Sequence, residues 1–454
     1  MAMMPPRSRA ELPSILLICI LAQAPLVRAE TLVYGADAGI GESDNITLVR
    51  THRVSQTIAV AQADFELKQQ GRLYDVDAKG NFTELDFLQH AYGNELIGRF
   101  DGLAHVALIP ERLSWALQED FGQSQIDPFA AVTPNNRENV NYVSTGPDAT
   151  LRLGSVGFVD MTARYARTDY AKSPFNNQRL FGSVAAGTQI SQHSSVSLNG
   201  TTQRVLFDNT VVNSDYDRSS VYGHYEAHGA RTDLSANLGA TRVNQGSFSS
   251  TGALAKLKLS RKMSSSATLN LEAGRDITDA STSFGSLQSG AIGGVGSQGA
   301  FGSQVAIGGI GTLGTTPAAL TSSNYTITYG SAGWQYKRDR TTINLNGRWE
   351  RDAYKGQPQF DLTRENAELS IERQLTRALS AQVLGSLYHS AFTHVDFADR
   401  DAVAAAALIY REGRGLEIRL HYDHVTRAVS GIGTGYAENR VFLTVGFRPR
   451  LAPT

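Results

Sequence analysis

The chain carries a single cysteine, Cys19, in 454 residues. A disulfide framework is therefore excluded, and no set of cysteine ligands for zinc can be assembled. A surplus of positive charge is also missing: 42 Lys and Arg face 43 Asp and Glu, for a net charge of −1. A dedicated nucleic-acid binder normally has a basic excess, so no nucleic-acid partner is expected. Charged residues amount to 19%, below the roughly 25% usual in soluble globular proteins. Beyond the N-terminus, no stretch approaches the roughly 18 apolar residues that a spanning helix requires. Disorder is excluded as well, because β-branched and aromatic residues recur along the whole chain.

What is present begins with a leader. Arg7 and Arg9 precede the run "LPSILLICILAQAPL", and "VRA" ends at Ala29. A basic region, a short apolar stretch and small residues before the cut describe a Sec signal peptide over residues 1–29. Pro13 and Pro25 interrupt a run already too short to span a bilayer, and "LLIC" lacks the small residues of a lipoprotein signal before Cys19. Cleavage after Ala29 removes Arg7, Arg9, Arg28, Glu11 and the only thiol, leaving a net charge of −3. That also excludes a cysteine nucleophile in the mature protein.

From there on the dominant signal has a period of two. In "GLEIRLHYDH", Leu416, Ile418, Leu420 and Tyr422 alternate with Glu417, Arg419, His421 and Asp423. In "ATLNLEAGR", Leu269 and Leu271 alternate with Thr268, Asn270 and Glu272. "TTINLNGRWE" sets Ile343, Leu345 and Trp349 against Asn344, Asn346, Arg348 and Glu350, and "NAELSIER" sets Leu369 and Ile371 against Glu368 and Glu372. Successive side chains on a strand point to opposite faces, so these are strands with one apolar and one strongly polar face. Short polar turns at 337–340, 374–378 and 411–415 alternate with longer connections such as 207–217 and 244–250.

A soluble sandwich would need thick apolar faces meeting in a dry core. Here the apolar face is mostly Ala, Leu, Val and Gly. Long antiparallel strands with short and long connections in turn predict an all-β fold, a transmembrane antiparallel β-barrel of about 20 strands, with 18 as the alternative. It would occupy residues 30–447, with 448–454 as a C-terminal tail. In lipid every backbone group must pair within the protein, and a closed barrel satisfies this. The polar face then lines the lumen, which assigns Lys256, Lys258, Asn270, Glu272, Asn344, Asn346, Arg348, Glu368, Glu417, Arg419, His421 and Asp423 to that lining, with Arg275 beside them. The mixture of signs predicts either cross-strand ion pairs or a weakly selective aqueous path; a ring of one sign would have predicted ion selectivity.

Near the end, "ENRVFLTVGF" puts Val441, Leu443, Val445 and Phe447 on one face. This alternation, ending in an aromatic, resembles the C-terminal β-signal read by the barrel-assembly machinery, except that "RPRLAPT" follows it. The stretch 282–322 is rich in glycine but lacks the GxxxxGK[ST] context of a phosphate loop. It is read as a long surface loop or as a segment folded back to narrow the lumen.

No catalytic site can be drawn. His224, Glu226 and His228 share the polar face of one strand, and neighbours two apart lie about 7 Å from each other, too far for compact metal ligation on their own. His389 and His394 flank a turn near Asp396 and Asp399 without a distinguishable nucleophile. The expectation is a non-enzyme with no cofactor and no metal.

One segment carries a family resemblance. "LSWALQEDFGQSQIDPFA", "TPNNRENVN" and "STGPDATLRLG", between Glu111 and Gly154, resemble the outer-membrane barrels encoded with PEP-CTERM/exosortase and exopolysaccharide systems of Gram-negative bacteria. The resemblance implies a signal-bearing barrel in the outer membrane near polysaccharide export components, and it implies no catalytic residues. The residues themselves describe a strand, a Pro/Asn-rich loop built on Pro128, Pro134, Asn135, Asn136 and Asn139, and a second strand entered through "STGPD". Trp115 and Phe121 are placed as interfacial aromatics. The expected function is a porin-like channel or export-associated barrel for a hydrophilic solute, in contact with outer-membrane lipid. The alternative is a closed barrel presenting its loops to partners.

Overall fold

A computed structural model describes residues 30–246, 248–279, 322–413, 415–431 and 433–449. They form twenty strands. The first five are β1 (Glu30–Ser43), β2 (Gln56–Gln70), β3 (Tyr74–Phe87), β4 (Glu95–Ile109) and β5 (Leu113–Gln125). Then come β6 (Arg137–Leu153), β7 (Gly157–Tyr170), β8 (Asn177–Ser191), β9 (Ser194–Phe207) and β10 (Tyr216–His228). The third group is β11 (Thr232–Gln245), β12 (Phe248–Lys262), β13 (Ala267–Thr278), β14 (Tyr325–Arg338) and β15 (Thr341–Tyr354). The last are β16 (Leu362–Gln374), β17 (Leu379–Phe392), β18 (Phe397–Arg411), β19 (Leu416–Gly431) and β20 (Tyr436–Phe447).

Each strand pairs antiparallel with the next, and β1 pairs with β20 from Ala36 opposite Phe447 to Ser43 opposite Arg440. The sheet thus closes on itself without an edge, the architecture of an outer-membrane β-barrel. Strands of 12 to 17 residues reach about 40 Å or more at roughly 3.4 Å per residue, enough to cross a bilayer at a tilt.

Connections at one end are short, such as 71–73, 192–193 and 339–340, while those at the other include 44–55, 126–136 and 279–324. Short turns mark the periplasmic end of such barrels and longer loops the extracellular end. The stretch 244–250, read from sequence as a longer connection, is instead a tight hairpin in which Gln245 pairs with Phe248. Gly246, at φ +57°, takes the left-handed turn conformation that lets the strands run on. "STGPD" likewise lies inside β6 rather than turning into it: pairing with β7 holds to Thr145, breaks at Gly146 and Pro147, and resumes at Asp148. Proline lacks the N–H that the ladder requires, so the pairing lapses there while the register is kept on either side, and the strand runs on in place of the expected turn.

The outward face is exposed Leu, Val, Ile and aromatic side chains, among them Ile40, Val184, Leu238, Leu345, Leu387 and Leu443. Val441, Leu443, Val445 and Phe447 all lie on this face. Trp115, Tyr225, Tyr410 and Phe447 stand exposed near the periplasmic strand ends, and Tyr165 and Trp349 near the opposite ends, as interfacial belts require. Phe121 departs from its expected place. It packs with Phe65, Phe82 and Phe100 and is only 3% exposed, because four rings on three adjacent hairpins shield one another.

Candidate lumen and its extracellular cover

Cross-strand partners share a face, so the register identifies the inner wall. Along the closing seam that wall is crowded. Row by row, Ala405, Asp423, Arg440 and Ser43 line up, then Ala407, His421, Phe442 and Gly41, then Ile409, Arg419, Thr444 and Gly39. In the first two rows the large side chains come from β19 and β20 and the small ones from β18 and β1; in the third, Arg419 lies between Ile409 and Thr444. A Cβ on Gly41 would overlap the Phe442 ring, so this glycine is the hole into which Phe442 packs. Arg419, His421, Glu417 and Phe442 are fully buried as a result.

Charges on this side are paired. Arg440 meets Asp423 at 2.9 Å, and His421 also bonds Asp423. Glu417 is held between Arg419 and Arg411, the latter at 2.7 Å. On β15 and β16, Arg348 pairs with Glu350 at 2.5 Å, and Arg364 bridges Glu350 and Asp352. Arg348 also lies 4.3 Å over the Tyr329 ring, whose hydroxyl donates to Glu272 at 2.9 Å. Pairing of this kind is what makes buried charge tolerable.

The wall from β7 to β11 is different. One row runs Thr162, Ser183, Thr201, Ser220 and Thr241, five hydroxyls on five successive strands. Thr162, Ser183 and Thr201 are half-buried; Ser220 and Thr241 bond each other at 2.9 Å, and Thr241 donates to Asp276 at 3.0 Å. Nearer the periplasm, Asn199, Tyr222 and Asn237 continue the same wall, half-exposed.

At the extracellular end, loops bend inward over the lumen. Within 126–136, Asn136 ties the loop to itself through Asp127 and Ala131. Phe129 packs on Phe392 and Phe397 at 4.8 and 5.0 Å between ring centres, and Arg427 of β19 donates to the Ala130 carbonyl at 2.8 Å. Arg427 is itself anchored by Asp399 at 2.7 Å. The loop 44–55 joins it: Ile46 and Leu48 share a small apolar pocket with Val132, Pro134, Phe87 and Phe442. On the opposite side, Asp279, the first residue after β13, turns inward to Arg179 at 2.6 Å and to the Tyr216 hydroxyl at 2.7 Å.

All twelve residues expected to line the lumen share the inner face. Ion pairs form between strands of this wall: Lys256 meets Asp276 at 2.9 Å, and Lys258 approaches Glu272 at 3.9 Å. Asn344 donates to Ser370 at 3.1 Å, while Asn346 sits opposite Glu368. Asn270 sits opposite Ser260 and Gly333. Arg275 does not join them. It stands opposite Ala255 and Thr328 on the outer face, one residue out of step with Glu272 and Asp276.

His224, Glu226 and His228 do line the lumen, with His228 3.1 Å from both Glu226 and Asp233. His389 points outward to the Asp399 carbonyl at 2.7 Å. Of the glycine-rich stretch 282–322, all but its last residue lies outside the described residues, as does the signal peptide. The contact between Phe129 or Ala130 and β17–β19 was not legible in sequence, because its two halves are 263 to 297 positions apart. The only signal was the self-tying Asp127–Asn136 loop.

No family model matches the chain, and no curated protein matches it in sequence. Solved structures with some likeness include a ferric enterobactin receptor mutant from Pseudomonas aeruginosa at 10% identity and a TM-score of 0.43, covering 92% of this chain and 80% of that one. A copper transporter, OprC, has 10% identity and a TM-score of 0.44, with 93% and 81% covered. The FrpB iron transporter from Neisseria meningitidis has 9% identity and a TM-score of 0.42, with 93% and 83% covered.

Proposed function

We propose that the protein is an outer-membrane conduit of a Gram-negative bacterium for a neutral, hydroxyl-rich solute, working beside an exopolysaccharide export system. The observation that carries this reading is the inward row of Thr162, Ser183, Thr201, Ser220 and Thr241, facing a lumen whose nearby charges are paired. Hydroxyls and amides on a wall donate and accept hydrogen bonds, so they replace the hydration of a sugar as it moves. Paired charges create no field of one sign, which favours neutral solutes over ions. The loops 44–55 and 126–136 act as the extracellular gate. The resemblance of Glu111–Gly154 to barrels encoded with PEP-CTERM/exosortase and exopolysaccharide systems supports the export setting, and the same segment supplies the gating loop.

Liposome swelling with the purified protein tests the reading. Neutral oligosaccharides are expected to enter faster than charged sugars of equal size once the gate is released. Equal exclusion of both, with the gate released, would instead favour a closed barrel that presents its loops. That second reading draws on one observation, the dense seam packing around Arg419, His421 and Phe442.

A further inference from the structure

The outer face holds a feature that solute passage does not use. Six arginines point outward on β7, β9, β11, β13, β15 and β18: Arg167, Arg204, Arg242, Arg275, Arg351 and Arg400. The first five each stand three positions before the last residue of their strand, and Arg400 stands three after the first residue of β18. All six therefore lie at one level near the extracellular end. Tyr165 and Trp349, two residues farther into the membrane on β7 and β15, mark the interface just beneath them.

The six divide into two groups. Arg167 is paired with Asp169 and Asp208 at 2.9 and 2.7 Å, Arg204 approaches Asp217 at 3.9 Å, and Arg242 bonds Asn244 and Ser249 at 3.2 Å. Among the described residues, Arg275, Arg351 and Arg400 make no ion pair. Arg275 and Arg351 flank Thr328 from either side. Only β14 lies between them, so two strand spacings, about 9 to 10 Å, separate them, a gap that two guanidinium forks span around one phosphate. Glu365 is the nearby carboxylate; it lies one row toward the membrane centre from Arg351, on the row of Trp349, His389 and Arg400, with His389 between it and Arg400.

Next to this unpaired group the lipid face is dented. Ala367, Gly385, Ala402 and Ala404 form the floor of a groove of about 390 Å³, bounded by Leu345, Leu369 and Leu387. Ala402 and Ala404 follow Arg400 on the outward face of β18, and a Cβ added to Gly385 would meet no atom within 4 Å. An anion-binding fork at the headgroup level thus stands over an apolar groove at acyl-chain depth.

We infer that Arg275, Arg351 and Arg400, with the groove below them, bind a phosphate-bearing glycolipid of the outer leaflet, the phosphates on the arginines and an acyl chain in the groove. The charge fits a phosphorylated headgroup, and the shape fits a chain lying flat along the wall. On β7 and β9 a carboxylate already stands beside Arg167 and Arg204, and on β11 Asn244 and Ser249 hold the Arg242 guanidinium, so these three take no part.

Native mass spectrometry of the detergent-purified barrel tests this, with bisphosphorylated lipid A, dephosphorylated lipid A and phosphatidylglycerol as probes. The wild type is expected to retain bisphosphorylated lipid A at least tenfold better than either comparator. The R275Q/R351Q/R400Q variant is expected to lose that preference, and G385L to weaken retention of lipid A. R167Q/R204Q/R242Q is expected to behave as the wild type. Unchanged binding in the first variant, equal retention of phosphatidylglycerol, or the same loss in both triple variants would overturn the inference. Heat-modifiable migration on a gel shows whether each variant is folded. If the triple variant is not, R351Q alone and the dephosphorylated lipid carry the test.

Discussion

Two stretches of the same inner wall solve the problem of a polar surface in opposite ways. From β15 through β20 to β1, long charged side chains are locked to partners: Arg364 to Glu350 and Asp352, Arg427 to Asp399, Arg440 to Asp423. From β7 to β11, short hydroxyls and amides line the wall, and several remain half-exposed. The first arrangement commits its charges to one another. The second leaves hydrogen-bonding groups facing the lumen. One side of the wall is thus fastened and the other receptive.

The strongest way to break the contrast is to remove a charge from the fastened side. Arg364→Leu leaves Glu350 and Asp352 buried without their shared cation, a loss of about 3–5 kcal/mol. Guanidinium unfolding followed by tryptophan fluorescence is expected to show a clearly lower midpoint. Next in size is the seam. Gly41→Val forces a branched side chain onto the Phe442 ring, and overpacking of this kind costs about 1–3 kcal/mol. Slower appearance of the heat-resistant folded band during refolding into vesicles is the expected readout.

A smaller stability effect, with a larger functional one, comes from the gate. Phe129→Ala removes two ring contacts in a loop rather than in the sheet. The unfolding midpoint is expected to stay near that of the wild type while neutral-sugar entry rises severalfold. The smallest stability effect falls on the receptive side. Thr201→Val removes a half-exposed hydroxyl and alters stability by no more than about 1 kcal/mol. Sugar entry through the gate-released protein is nevertheless expected to slow, whereas the same exchange at a paired residue's neighbour, Thr444→Val, is expected to leave entry unchanged.

Much of the architecture was readable in advance because period two is a local property. The pairing of Leu416, Ile418 and Leu420 against Glu417, Arg419 and His421 needed nothing but the alternation, whereas the turns left 18 strands open beside the 20 observed. Arg275 was misplaced because a face assigned by charge, rather than by counting from Glu272, slips by one. The gate was hidden for another reason. Phe129 meets Phe392, and Arg427 meets Ala130, only after the sheet has closed, and nothing local in either segment names the other. The unpaired outer arginines were equally invisible, since their common depth emerges only when the ends of β13, β15 and β18 are known.

On the proposed reading, the loop 126–136 is a removable cover over a polar passage. Conductance of the purified protein in planar bilayers, wild type against Phe129→Ala, tests it most directly. The wild type is expected to show rare, brief openings and the variant a sustained open level of several times greater mean current. Identical traces from the two, with both proteins folded, would contradict it.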